Sequence, residues 1–361
     1  METNKSFWPH TRITELFKIA LPIIQAPMAG GATTPELIAA VSNAGGLGSL
    51  GAGYMSADDI YKAIAKIRQL THKPFSVNLF IPEKHEATIE QMQRAREAIQ
   101  ECCPELRFEI DNIKPPYAPP FEEQMNAILE EKTPIFTFTF GIPSQHWIET
   151  FKKKGILLMG TATTVEEAKL LEASGMDAIV AQGREAGGHR GTFLGKAEDA
   201  LIDLASLVPS IIDSVNIPVI AAGGIMDAKG MLAAIVSGAS AVQMGTAFLT
   251  CTESGIHANY KSTLLNTTHD NTILTRAFSG KLARGINNTF ISRMQSHEND
   301  ILQYPIQNSL TSAMRKEAAR QSDTDFMSMW AGSFDFLCSN LSATEFINKL
   351  NHEMLELTAN L

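Results

Sequence analysis

The sequence predicts an α/β fold, a (β/α)₈ barrel (TIM barrel) with a helical cap built from insertions. Three observations carry that expectation. Short apolar runs rich in β-branched or aromatic residues recur along the chain, helical patterns separate them, and eight such runs can be counted. Near-continuous apolar strands alternating with helices imply a parallel sheet covered by helices. Eight units favour closure into a barrel over an open doubly wound sheet. The length of 361 residues suits such a barrel, which needs about 250 residues and tolerates insertions. No GxGxxG follows the first strand, as a dinucleotide-binding sheet would want.

The elements follow in order. A helical lead at 14–20 precedes the first strand, 23–28 (IIQAPM). The helix 35–43 leads to the second strand, 45–51 (GGLGSLG), weak in propensity but well placed, and the helix 57–70 leads to the third, 75–80 (FSVNLF). The fourth is 135–140 (IFTFTF). The helix 144–153 introduces the fifth at 155–162, and the helix 164–173 introduces the sixth at 176–183. The seventh is 217–224 and the eighth 241–248. Two stretches exceed this alternation. Residues 82–132 hold a polar helix (86–100) and a proline-rich loop (114–120), and everything after 252 is mostly helical in pattern. The expected organisation is therefore a barrel of 12–81 and 133–252, an insertion at 82–132, a cap at 253–345 and a C-terminal helix at 346–361. Barrel insertions commonly gather at the catalytic face.

Composition narrows the function classes. Hydrophobic residues make up 44% and charged residues 19%, which supplies a sizeable core. A net charge of −9 and the lack of a basic cluster argue against a nucleic-acid partner. The uncharged stretch 230–252 is interrupted by Ser237-Gly238-Ala239-Ser240 and reads as helix, turn and strand, not as a membrane span. The first residues lack the apolar core of a secretory signal. The four cysteines (Cys102, Cys103, Cys251 and Cys338) show no metal-like spacing. Free thiols in a cytoplasmic protein, monomer or homodimer, are the expectation.

Chemistry in a barrel belongs to the carboxyl ends of the strands. There the sequence places Ala26, Pro27 and Met28 after the first strand, Asn78 on the third, and Gln182 at the end of the sixth. Gly223 and Gly224 end the seventh; Gln243, Met244, Gly245 and Thr246 lie on the eighth. Glycines on neighbouring seventh and eighth strands suit phosphate, which backbone N–H groups can approach closely, with the Thr246 hydroxyl as a further donor. Tight turns alone are the plainer reading. Asn78 and Gln182 donate and accept at once, as a flavin's pyrimidine edge requires; loop capping is their ordinary role. His189 stands in Gly187-Gly188-His189-Arg190-Gly191. Those glycines strip away packing neighbours and let the imidazole project into a cavity, as a base or a donor to an anion. Arg184 and Arg190 either hold an anionic substrate or serve the surface, and Glu185 anchors the loop. No HExxH, GxSxG or Walker motif occurs.

Four segments together resemble the nitronate monooxygenases, formerly 2-nitropropane dioxygenases. They are QAPMAGG (25–31), SNAGGLG (42–48), QGREAGGHRG (182–191) and AAGGI (221–225), with YPIQN (304–308) in the cap. The resemblance runs in order from about residue 12 to residue 250. It implies non-covalently bound FMN, contacted by Asn78, Gln182, Gly187, Gly188, Gly223, Gly224 and residues 243–246, with His189 as the active-site histidine and Tyr304 and Asn308 nearby. It implies oxidation of small anionic alkyl nitronates, propionate 3-nitronate among them, by O₂ through one-electron transfer to FMN, giving a carbonyl product and nitrite. Arg184 stands where the pattern favours a small residue, which leaves substrate preference open.

Two other functions remain in view. FMN-dependent enoyl-acyl-carrier-protein reductases share the AGGI and GGH motifs but use NAD(P)H. Residues 139–143 (TFGIP) and Tyr304-Pro305 match the monooxygenases better. A non-catalytic flavin-binding protein would lack a projecting acid–base group, and His189 argues against it.

Overall fold

The computed structural model describes residues 8–110 and 113–359. Eight parallel strands form the barrel sheet. They are β1 (Ile23–Gln25), β2 (Gly48–Gly51), β3 (Phe75–Phe80), β4 (Ile135–Thr139), β5 (Leu157–Ala162) and β6 (Ala178–Gln182). A two-residue strand, β7 (Gly188–His189), lies outside the barrel, and β8 (Val219–Ala222) and β9 (Ala241–Met244) complete it. The order is β1-β9-β8-β6-β5-β4-β3-β2, and a bridge from Ile24 to Leu47 brings β1 back to β2.

That last seam is thin in backbone ladder, and a buried side chain reinforces it. Gln25 is fully buried; its Oε1 accepts from Ser49 N at 3.0 Å and its Nε2 donates to Ser49 O at 3.3 Å. Ser76 Oγ then donates to Ser49 Oγ at 2.7 Å. A buried amide must satisfy both its ends, so this glutamine stitches the barrel shut.

Side chains alternate across a strand, and that period builds the interior in layers. Ile24, Ile135, Met159, Ala178, Val180 and Ile220 pack in one cluster with Ile13 and Phe17. The latter two come from the helix Arg12–Phe17, which plugs the amino-terminal end of the barrel. Two residues further along several strands the inward positions turn polar, at Asn78, Thr137, Thr161, Gln182 and Gln243. The bore is therefore closed at one end and polar at the other.

Strand ends differ from the expectations for local reasons. β1 stops at Gln25, and Pro27 lacks the N–H a ladder needs. Glycines at positive φ, Gly45 (98°) and Gly155 (73°), belong to the turns before β2 and β5 and shorten both. After β9 the chain turns at Gly245 into the short helix Thr246–Leu249 instead of extending the strand. The helices 35–43 and 57–70 fall where the sequence puts them. Thr34 and Ser56 cap them through Leu37 N and Asp59 N, as N-cap residues do.

The stretch beyond 252 is less helical than expected. A three-stranded antiparallel sheet, β10 (Thr272–Thr275), β11 (Ala283–Ile286) and β7, ties that stretch to the loop after β6. Each strand has four residues or fewer, too short to display a readable alternation. A separate hydrophobic cluster joins the insertion helix Ile89–Cys102 (through Ala95, Ile99 and Cys102) to Phe278, Phe290, Ile306 and Leu310. The last helix, Ala343–Thr358, packs Phe346, Ile347, Leu350 and Met354 into the barrel's main cluster. No helix of the described residues is long and apolar enough to cross a membrane.

Candidate active site

A cavity of about 730 Å³ opens at the carboxyl ends of the barrel strands, beneath the segments from 304 onward. Its volume lies in the range of small-molecule and cofactor sites, about 300–1,000 Å³. The residues expected to contact flavin, His189, Tyr304 and Asn308 all line it. Ala26, Pro27 and Met28 arrive from β1, Asn78 from β3, and Gln182 with Gly187, Gly188 and His189 from β6 and β7. Gly223 and Gly224 follow β8, Gln243 to Thr246 come from the β9 end, and Tyr304 and Asn308 close from above.

One side of the cavity is a cradle of backbone. The N–H groups of Gly223, Gly224 and Gly245 find no protein acceptor among the described residues. Gly223 and Gly224 hold φ of 127° and 67°, which only glycine adopts without strain. Thr246 Oγ1 accepts from Gly332 N at 2.9 Å, leaving its own proton to donate. The cationic side chains on the cavity wall, Arg315 and Lys316, both sit on the helix Ser312–Gln321.

The amides are partly committed already. Gln182 Nε2 donates to His189 O at 3.0 Å and its Oε1 accepts from Gly191 N at 2.7 Å, so this residue shapes the His189 loop and keeps one N–H in reserve. Asn78 Nδ2 donates to Thr137 Oγ1 at 2.8 Å, which fixes the amide and leaves its oxygen without a donor among the described residues.

The glycines around His189 act differently from the expectation. The imidazole does reach the cavity, yet it is walled by rings: Trp330 at 5.4 Å, Phe140 at 5.8 Å, Tyr304 at 6.1 Å and Phe80 at 6.2 Å between centroids. Gly187 instead lets the 331–332 backbone pass; a Cβ there would stand 2.5 Å from Gly332 N. His189 Nε2 lies 2.8 Å from Ser279 Oγ. Burial, then the positive charges of Lys281 and Arg315, push its pKa down to about 3. It is a neutral imidazole at physiological pH.

The two arginines of the loop also resolve. Arg184 is exposed and pairs with Asp203 at 2.6 Å. Arg190 is fully buried and donates to the carbonyls of Gly183, Gln182 and Ala200. Neither lines the cavity. Glu185 anchors the loop, accepting from Leu204 N at 3.1 Å.

Sequence reasoning missed several wall residues. Tyr54 follows β2, where a barrel's carboxyl-end loop was a readable signal; its phenol bonds that of Tyr304, and burial raises its pKa to about 12. Trp330 and Arg315 on the wall, and Ser279 behind His189, carry no local sequence signal, because the fold of the distal segment alone brings them in.

The model for the family described as nitronate monooxygenase matches residues 10–353. The chain belongs to the nitronate monooxygenase family. It is thus an oxidoreductase. A probable nitronate monooxygenase of Staphylococcus aureus (strain MSSA476) is 46% identical over 352 residues, covering 96% of this chain and 99% of the relative. Among solved structures, nitroalkane oxidase from Streptomyces ansochromogenes superposes with a TM-score of 0.87 at 37% identity, covering 96% of this chain and 99% of that one. FabK from Thermotoga maritima gives 0.77 at 32%, covering 97% and 98%.

Proposed function

We propose that this family member binds FMN and oxidises small alkyl nitronates, propionate 3-nitronate among them, with O₂ to a carbonyl product and nitrite. The observation that carries the reading is the placement of His189, a neutral imidazole, in one cavity with a cradle of N–H groups unpartnered among the described residues and the amides of Asn78, Gln182 and Gln243. The cradle fits a phosphate monoester: Gly223, Gly224 and Gly245 offer backbone donors and Thr246 a hydroxyl. A Cβ on Gly188 would meet no protein atom within 4 Å and would project into cavity space that a ring system needs. The oxygen of Asn78, the spare N–H of Gln182 and the amide of Gln243 suit an edge of alternating donors and acceptors.

Bound FMN would supply electron acceptance and reaction with O₂. The chain's own residues bind, orient and exclude water. His189 meets a nitronate through Nδ1, which has no protein partner among the described residues, while Ser279 holds Nε2. An anion beside the ring favours the imidazolium and raises its pKa, so binding and proton uptake are coupled. For a neutral nitroalkane the same nitrogen accepts the α-proton, weakly at a pKa of about 3. The wall of Phe80, Phe140, Tyr304 and Trp330 keeps water from the reacting carbon.

Heating the yellow purified protein and identifying the released chromophore by mass spectrometry, alongside a nitrite assay with propionate 3-nitronate, tests both halves. Stoichiometric FMN and nitrite formation are expected. A colourless protein that takes up no FMN, or a flavoprotein that forms no nitrite, would overturn the reading.

A further inference from the structure

We propose that Arg315 selects among nitronates by pairing with a carboxylate carried on the substrate away from its reacting carbon, an inference that rests on the nitronate reading above. Arg315 lies on the helix Ser312–Gln321 and lines the same cavity as His189. Three hydrogen bonds fix its guanidinium: Nη2 to Asn308 O at 2.7 Å and to Asn308 Oδ1 at 3.0 Å, and Nε to Thr311 Oγ1 at 3.2 Å. All of these partners are neutral. Nη1 has no protein acceptor among the described residues, although Arg315 forms part of the cavity wall.

A buried guanidinium is ordinarily paired with a carboxylate, because desolvating a lone charge is costly. Lys281, 14% exposed, pairs with Glu83, while the fully buried Arg190 spends its donors on three backbone carbonyls. Arg315 has no carboxylate partner among the described residues and keeps a donor unspent. Burial lowers its pKa, and among the described residues the one countering group is the Tyr54 phenol, itself held neutral by a pKa of about 12. The site thus presents a rigid, half-buried cation whose free donors match the fork of a carboxylate.

Its position relative to His189 says what kind of anion. Arg315 is near enough to disfavour protonation of the imidazole, yet Asn308 and Thr311 hold it against the preceding helix, Ile306–Leu310, and its junction. A substrate with a nitronate at His189 and a carboxylate at Arg315 would place both anions on waiting donors. A nitronate with a plain alkyl tail leaves the guanidinium unpaired. Asn308 acquires a role here too, as a positioning residue for the guanidinium.

The test compares R315Q and R315K with the unaltered enzyme on propionate 3-nitronate and on propyl-1-nitronate, by oxygen uptake. The ratio of the two kcat/KM values is expected to fall about tenfold or more in R315Q, with R315K between, since a lost charge-assisted bond is read as lost transition-state binding. Calorimetric titration with succinate, which cannot be oxidised here, gives a second readout: binding to the flavin-loaded enzyme should weaken about tenfold in R315Q. An unaltered ratio together with unaltered succinate affinity would overturn the proposal, as would equal losses on both nitronates. If the unaltered enzyme oxidises neither nitronate but R315Q still weakens succinate, the nitronate reading fails while the anion site stands. Should R315Q not accumulate, R315K carries both measurements.

Discussion

At the scale of single residues the site turns on one imidazole whose surroundings keep it uncharged. His189 faces rings on several sides and two cations nearby, and its pKa of about 3 follows from that setting. Replacing it by Ala should lower turnover about 10²–10⁴-fold, the usual worth of a positioned acid–base group, with flavin content retained. A drop of only a few-fold would leave His189 a packing residue. The same depressed pKa has a consequence for stability. Between about pH 3 and 6.5 the unfolded chain binds a proton here that the native chain does not, so the slope of stability with pH is positive. Ligand-free protein should therefore lose stability as pH falls through that window. H189N should flatten the slope by up to about one proton in urea titrations at successive pH values. An identical slope in H189N would show that the histidine is protonated in the native state.

At the scale of elements, the loop between β6 and β8 is held from three sides. Gln182 braces it at its root, Arg190 caps the carbonyls of Gly183 and Ala200, and Glu167 gathers Thr163 N, Phe193 N and Leu194 N at its far end. The 331–332 segment presses on it at Gly187. G187A forces a Cβ against backbone, 2.6 Å from Ala331 C, which cannot yield as a flexible side chain would. The expected loss is about 2–3 kcal/mol, seen as a lower urea midpoint at constant m; a loss under about 0.5 kcal/mol would contradict the packing described.

This loop also marks where sequence reading reaches its limit. The barrel was legible because its strands are apolar runs at regular spacing, and Asn78, Gln182, Gly224 and Thr246 sit at strand ends that a barrel makes functional. The partners of those residues were not. Gly332 lies 86 positions from Thr246 and Ser279 lies 90 from His189, with Trp330 further from His189 still, and β10, β11 and β7 are too short to show a period. Arg190 illustrates the same limit. In the sequence it is a charge beside a histidine, and only its burial against three carbonyls shows that it serves the backbone.

At the scale of the whole molecule, one bore closed by Ile13 and Phe17 and open at the other end leads every functional group to one cavity. A ligand filling that cavity should stabilise the fold by mass action, about 2.7 kcal/mol at a hundredfold excess over Kd. Removal of flavin should therefore lower Tm by about 5 °C, restored on adding FMN. A Tm insensitive to FMN would argue that the cradle at Gly223, Gly224 and Gly245 holds something else.

The central claim is nitronate oxidation at this site, and oxygen consumption by the purified flavoprotein tests it most directly. Propionate 3-nitronate is supplied in one cell and NADH alone in another. The account predicts rapid oxygen uptake with nitrite release in the first and no NADH oxidation in the second. Inert nitronate beside NADH-driven reduction of the flavin would contradict it and move the chain to reductase chemistry on the same barrel.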